Sequence, residues 1–172
     1  MGMDVYGKAP QSEKGEYFRN NVWWWRPLWG YCEENHADLA DKAPDAHSNS
    51  GDGLDANDAL ELGKRLLQDI ETGVALKWQT EYRNELASLP KNDCQYCDGT
   101  GIRADEVGIE HGMPTKELDE ATAILVGRTH GYCNGCRGEG KVVAWAANYP
   151  FDIQNLQAFA EFCVDSGGFE IC

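Results

Sequence analysis

The sequence predicts an α+β fold: a helical body with short strands and one small module held together by four cysteines. Three observations carry that expectation. Apolar residues recur at helical spacing in two stretches: Ala59, Leu60, Gly63, Leu66, Leu67 and Ile70, then Ile153, Leu156, Phe159, Ala160 and Cys163. Both ends of the chain read as extended, with a strand or arm at the start and an edge strand over 169–172. A C-x-x-C-x-G-x-G octet occurs twice, from Cys94 and from Cys133. With six Trp, seven Tyr and five Phe, the 172 residues supply a core for a single domain over 1–172. Inside it, a cysteine module over 91–145 carries an insertion over 102–132.

In chain order, residues 1–21 hold Gly, Pro, Ser and Lys and give a short strand or arm and then a loop. Val22, Trp23, Trp24 and Trp25 form a β-favouring run. On a strand, three successive tryptophans cannot share a face, so at least one points away from the core. Pro27 suits the first turn of a helix, where its missing N–H costs nothing. Leu28, Tyr31, Cys32, Leu39 and Ala40 extend that helix over 27–42. Residues 44–53, rich in Ser, Asn, Asp and Gly, form a loop. Asp55 N-caps the first clear helix, which stops at Thr72-Gly73. A further helix over about 75–88 carries Leu76, Tyr82, Leu86 and Leu89 and ends before Pro90. Within the insertion, Leu118, Ala121, Leu125 and Val126 mark one side of a helix over 117–126. Asp152 caps the last helix, and Gly167-Gly168 ends it.

The octets are Cys94-Gln95-Tyr96-Cys97-Asp98-Gly99-Thr100-Gly101 and Cys133-Asn134-Gly135-Cys136-Arg137-Gly138-Glu139-Gly140. Two intervening residues let both sulfurs of a pair approach one tetrahedral ion at about 2.3 Å each. The glycines let the chain double back at positive φ and bring backbone N–H groups close to the thiolates. Cys94, Cys97, Cys133 and Cys136 are therefore expected to bind one structural Zn²⁺, with no open position for catalysis. Free thiols and a redox pair are the alternatives, but a redox C-x-x-C belongs in a βαβ setting that this sequence lacks. His130 stands near enough in sequence to replace a cysteine or to sit just outside the ligands.

At these octets the chain resembles the cysteine-rich zinc domain of DnaJ-type chaperones. That family carries four such repeats and two zinc ions; two repeats here imply one site. The His-Pro-Asp hallmark of the J-domain is absent, so the resemblance carries ligand chemistry and not chaperone activity. More broadly, the chain is similar to a family of small phage- and prophage-encoded proteins. That likeness rests on Met3-Asp4-Val5-Tyr6-Gly7, the block 19–29, Gly51-Asp52-Gly53-Leu54, the two octets, Tyr149-Pro150-Phe151 and Gly167-Gly168-Phe169. It implies a genomic setting, in the cytoplasm of a bacterial or infected host cell.

Twenty-nine Asp and Glu against 15 Lys and Arg give a formal charge of −14. Residues 33–61 hold nine acids and one Lys, a field that repels phosphate backbones and favours basic partners. The expected partner is thus a protein with a basic surface, met by Asp38, Asp41, Asp45, Trp24 and Arg26, with no direct nucleic acid and no membrane. Absence of a long apolar run, of a secretory signal and of a disulfide pattern fits a soluble intracellular protein. The block around Trp23, Trp24 and Trp25, with Arg19 and Arg26, suits either core packing or an interface. Residues 48–55 resemble a calcium loop, but with Gly53 as turn glycine the twelfth position is Ala59, not Glu. Asp52 and Asp55 are expected to serve a turn and a cap instead. No nucleotide-binding glycine loop or catalytic triad order is present. The leading reading is a non-enzymatic zinc-binding accessory protein. One alternative is an acidic nucleic-acid-mimicking inhibitor of a host defence nuclease, of anti-CRISPR or anti-restriction type. The other is a small enzyme using Arg19, Trp23, Trp24, Trp25 and His47.

Overall fold

The structure, a computed structural model, describes residues 2–172. They form eight α-helices and five short antiparallel strands, an α+β fold. Two compact units result, one from residues 2–87 with 148–172 and the other from 88–147. Among the described residues, no helix is long and apolar enough to cross a membrane.

The first unit begins with strand β1 (Gly2–Gly7), a helical turn α1 (Glu13–Glu16) and strand β2 (Tyr17–Asn21). β2 returns antiparallel to β1 where a loop is expected, and the last strand, β5 (Phe169–Ile171), pairs on the other side of β1. Register places Val5 opposite both Phe18 and Ile171, and all three are buried. The alternate residues Tyr6 and Tyr17 face outward, their rings 5.1 Å apart. Loop 43–55 locks the terminal strand, since the Ile171 N–H donates to the Asp52 carbonyl at 2.7 Å.

The tryptophan run is helical rather than extended. Helix α2 (Val22–Asn35) starts there because the Asn21 side chain accepts from the Trp23 and Trp24 N–H groups, at 3.0 and 3.2 Å. Pro27 therefore lies inside the helix and not in its first turn. Helical spacing also sorts the aromatics: Trp25, Leu28, Trp29 and Cys32 share the buried face, while Trp23 and Trp24 are half-buried. The helix expected over 27–42 is broken at His36, whose backbone leaves the helical region (φ −137°, ψ 44°), and resumes as α3 (Ala37–Ala40).

Helix α4 (Ala56–Thr72) is capped by Asp55, which accepts from the Asn57 and Asp58 N–H groups at 2.9 Å each, and ends at left-handed Gly73. Helix α5 (Val74–Ser88) buries Ala75 and Gln79, with Trp78 and Tyr82 half-buried against the core; Leu76 points out instead. Helix α8 (Ile153–Asp165) turns Leu156, Phe159, Ala160, Phe162 and Cys163 inward. At the centre Trp25 and Trp29 stack at 5.6 Å, and Phe159 meets both edge-on. The Trp25 indole N–H donates to the Ala46 carbonyl at 2.8 Å, so this buried donor is satisfied.

Two helix glycines test this packing with opposite signs. A Cβ on Gly30 in α2 would meet nothing within 4 Å, whereas one on Gly63 in α4 would sit 2.7 Å from the Ala160 carbonyl oxygen of α8. Gly30→Ala should stabilise by about 0.5–1 kcal/mol through reduced backbone entropy. Gly63→Ala should destabilise by about 1–3 kcal/mol through overpacking. Urea unfolding of both variants checks this; a stabilising Gly63→Ala would show that α4 and α8 do not approach so closely.

Candidate metal centre

Unit 88–147 is organised by its two cysteine octets. Strands β3 (Asn92–Asp93) and β4 (Lys141–Val142) pair antiparallel and deliver the octets to one another. The Cys94 N–H donates to the Gly140 carbonyl at 2.9 Å, and Lys141 reaches Asp93 at 2.6 Å. The two loops then repeat one geometry. In the first, the Gly99 N–H donates to the Cys94 carbonyl and the Gly101 N–H to the Cys97 sulfur, at 3.4 and 3.2 Å. In the second, the Gly138 N–H donates to the Cys133 carbonyl and the Gly140 N–H to the Cys136 sulfur, both at 3.1 Å.

Each loop reverses through the left-handed region just after its second cysteine. Asp98 (φ 46°) and Arg137 (φ 54°) adopt it despite carrying side chains, and Gly99, Gly101, Gly138 and Gly140 follow. A left-handed non-glycine residue costs about 1–2 kcal/mol, so the surroundings must impose it twice. The last glycines are also steric necessities. A Cβ on Gly101 would lie 2.2 Å from the Gly138 carbonyl oxygen, and one on Gly140 would lie 2.1 Å from that of Gly99.

The result is a cluster of four sulfurs, all within 4.8 Å of one another and buried. Cys94 and Cys133 sulfurs lie 3.8 Å apart, and Cys97 and Cys136 sulfurs 3.7 Å. A disulfide needs about 2.05 Å. A tetrahedral ion with metal–sulfur bonds of about 2.3 Å requires edges of about 3.8 Å. Both of these sulfur–sulfur distances match such an edge, so the cluster could hold a metal ion. Burial raises the Cys94 thiol and pushes Cys136 up to about 12. At Cys97 burial pushes the same way, but the Gly101 N–H and the neighbouring sulfurs outweigh it and hold that thiol below its ordinary value. Full ionisation of four sulfurs this close calls for a cation among them.

One functional side chain escapes sequence reasoning. The Arg128 guanidinium donates from a single Nη2 to the Gly101 carbonyl at 2.9 Å and the Gly138 carbonyl at 2.7 Å, tying one octet to the other. Nothing in the local sequence marks it, because its partners are backbone carbonyls distant along the chain. His130 is exposed and bonded to Thr129 at 3.0 Å, outside the four-sulfur cluster. Cys32 and Cys163 lie in the aromatic core of the first unit, where burial raises both thiols far above their usual range.

The other residues expected to bind a partner or substrate occupy separate places. Asp38 is exposed but paired with Arg65, both carboxylate oxygens at 2.9 Å from one Nη1. Asp41 and Asp45 are exposed, and Trp24 is half-buried. Arg26 lies over the Tyr149 ring at 5.9 Å. Arg19 approaches Asp4 at 3.5 Å and His47 approaches Glu33 at 3.2 Å, so each is engaged on its own. Asp52 and Asp55 spend their oxygens on backbone N–H groups of residues 45, 53, 57 and 58.

The insertion departs from expectation. Helix α6 (Glu106–Glu110) precedes a short 3-10 turn, and helix α7 (Glu120–Val126) buries none of its side chains. Leu118 is buried just before it, whereas Ala121 and Leu125 are exposed. The apolar stripe is real in sequence but has no core to face. No family model, curated protein or solved structure matches this chain.

Protein purified without added metal should carry one metal ion per chain by elemental analysis. Cys133→Ser should lose most of it, and Cys163→Ser should keep it. Metal binding must displace the protons of the raised thiols Cys94 and Cys136. Affinity measured against a competing chelator should therefore fall as pH falls, by at least about a hundredfold per pH unit for two protons. A pH-independent affinity would mean that the ion is held elsewhere.

Proposed function

We propose that this chain is a non-enzymatic zinc protein that acts by binding another protein with a basic surface, encoded in a phage or prophage setting. The observation that carries the zinc assignment is the sulfur spacing of 3.7 and 3.8 Å across the two octets. Zn²⁺ accepts a regular tetrahedron of thiolates without electronic preference, and four protein ligands leave it no position for substrate. Its role is structural. Zinc binding of about 10–16 kcal/mol is comparable to a whole domain's stability, so the ion decides whether this unit folds. The likeness of the octets to the DnaJ-type zinc domain supports the same ligand set, and the wider likeness to phage and prophage proteins supports the cytoplasm of a bacterial or infected cell.

Partner binding is favoured over nucleic-acid mimicry by what the acids do. In residues 33–61, Glu33, Glu34, Asp38, Asp52, Asp55, Asp58 and Glu61 already have partners within the fold. Only Asp41 and Asp45 leave their carboxylates without one among the described residues. A phosphate-like track needs more free carboxylates than that. The net charge of −14 still steers a basic protein towards the chain and repels nucleic acid.

Duplex and single-stranded DNA and RNA should show no gel shift at physiological salt. Immobilised protein should retain basic host proteins and release them as salt rises. Sub-micromolar nucleic-acid binding that disappears in Arg19→Ala or Trp24→Ala would overturn this reading and make the aromatic block a base-stacking site.

A further inference from the structure

The insertion within the metal-holding unit presents an apolar face that the fold leaves uncovered. On α7, Ile124 is 76% and Leu125 69% exposed. Beside α7 runs a shallow open groove of about 550 Å³ lined by Leu118, Ala123, Ile124, Glu117, Glu120 and Arg128. Isolated exposed apolar residues are ordinary on protein surfaces; an apolar groove on a helix with no buried face is not.

Two carboxylates, Glu117 and Glu120, line the groove against a single cation, Arg128. The Glu117 and Glu120 carboxylates are exposed and have no hydrogen bond or ion pair among the described residues. The three cations of the 102–132 insertion have contacts of their own. Arg128 is spent on the Gly101 and Gly138 carbonyls, Arg103 grips Asp105 at 2.8 Å, and Lys116 lies 4.5 Å over the Tyr132 ring. Four thiolates around a divalent ion would leave two further negative charges behind Arg128. The complement of such a surface is an apolar side chain flanked by Lys and Arg. A second copy of this chain, at −14, is a poor electrostatic match.

We propose that the α7 groove is the docking surface for a short, basic, amphipathic segment of a partner protein. The inference rests on the protein-binding reading above and places its site here rather than at Asp38, Asp41 and Asp45. It also makes docking metal-dependent, because Arg128, at the end of the groove, is anchored only to the two octet loops and to the Gly131 carbonyl. Without the ion those loops, and the arginine with them, lose their fixed positions.

The test titrates the zinc-loaded full chain with a labelled leucine–lysine amphipathic peptide at physiological salt, read by fluorescence anisotropy and by amide NMR shifts. Binding should saturate, with shifts centred on Ala123, Ile124 and Gly127, and chelation should abolish it. Ile124→Asp should weaken binding by about tenfold or more, as should Glu117→Lys combined with Glu120→Lys. All three side chains are exposed, so retained metal content certifies the fold of each variant. A leucine–glutamate peptide should not bind. Unchanged affinity in both variants, or shifts centred on residues 41–45, overturns the proposal. If the peptide fails while basic host proteins are still captured, the groove alone is wrong; if that capture fails too, the protein-binding reading falls with it.

Discussion

Four cysteine sulfurs confined within 4.8 Å impose the condition that the rest of unit 88–147 satisfies. The buried apolar side chains there are the four cysteines and Leu118. Burying one leucine contributes about 1.5–3 kcal/mol, while fixing each residue's backbone costs about 1–2 kcal/mol. Hydrophobic burial cannot order this unit. Bonds from four thiolates to one metal ion would supply a term of the right size. The other features serve that centre. Left-handed turns at Asp98 and Arg137 aim Gly101 and Gly140 N–H groups at the sulfurs, and the glycines permit loop-to-loop contact. Arg128 then joins the two loops and places positive charge beside them.

The first unit solves the same problem by ordinary means. Its core stacks Trp25 on Trp29 and sets Phe159 edge-on against both, burying large surfaces on two helices at once. At the margin, Asp69 accepts from the Tyr31 hydroxyl at 2.7 Å and meets the His36 ring at 2.8 Å on the same carboxylate oxygen. Burial, then the Asp69 bond, raises the Tyr31 hydroxyl far above its usual range, so it stays protonated and donates. That pairing pins α2 and the break at His36 to α4. A break in a helix at a buried histidine is thus part of how the fold is specified.

What the sequence reveals depends on how local the cause is. The starts of helices α4 and α8 are legible to the residue, since the capping residues Asp55 and Asp152 lie beside them; α4 stops at Gly73 as expected, while α8 ends at Asp165, just before Gly167-Gly168. The clustering of the four cysteines is legible for the same reason: C-x-x-C is a local geometric statement. The tryptophan run is misread because β-propensity outweighs a cap that only the Asn21 side chain reveals. Strand β2 is missed because its partner, β1, supplies its register from a distance. For α7 the periodicity is correctly seen, but the sequence does not say what the stripe faces. A stripe states which residues share a face, and says nothing of whether anything covers it.

Charge carries a related lesson. A formal −14 suggests a broad acidic surface, yet much of the acid is architectural. Asp52, Asp55, Asp105, Asp119 and Asp152 all accept backbone N–H groups, four of them at helix starts. Aspartate there satisfies donors that would otherwise lack partners and meets the positive end of the helix dipole. Glutamate rarely fits that role, which leaves it on the surface. The uncommitted carboxylates of the 102–132 insertion are accordingly those of glutamates, at 106, 110, 117 and 120. Counting charges by residue type and by what each oxygen already binds therefore locates a field that net charge only announces. It shifts attention from the crowded acidic stretch at 33–61 to a sparser set whose carboxylates remain available.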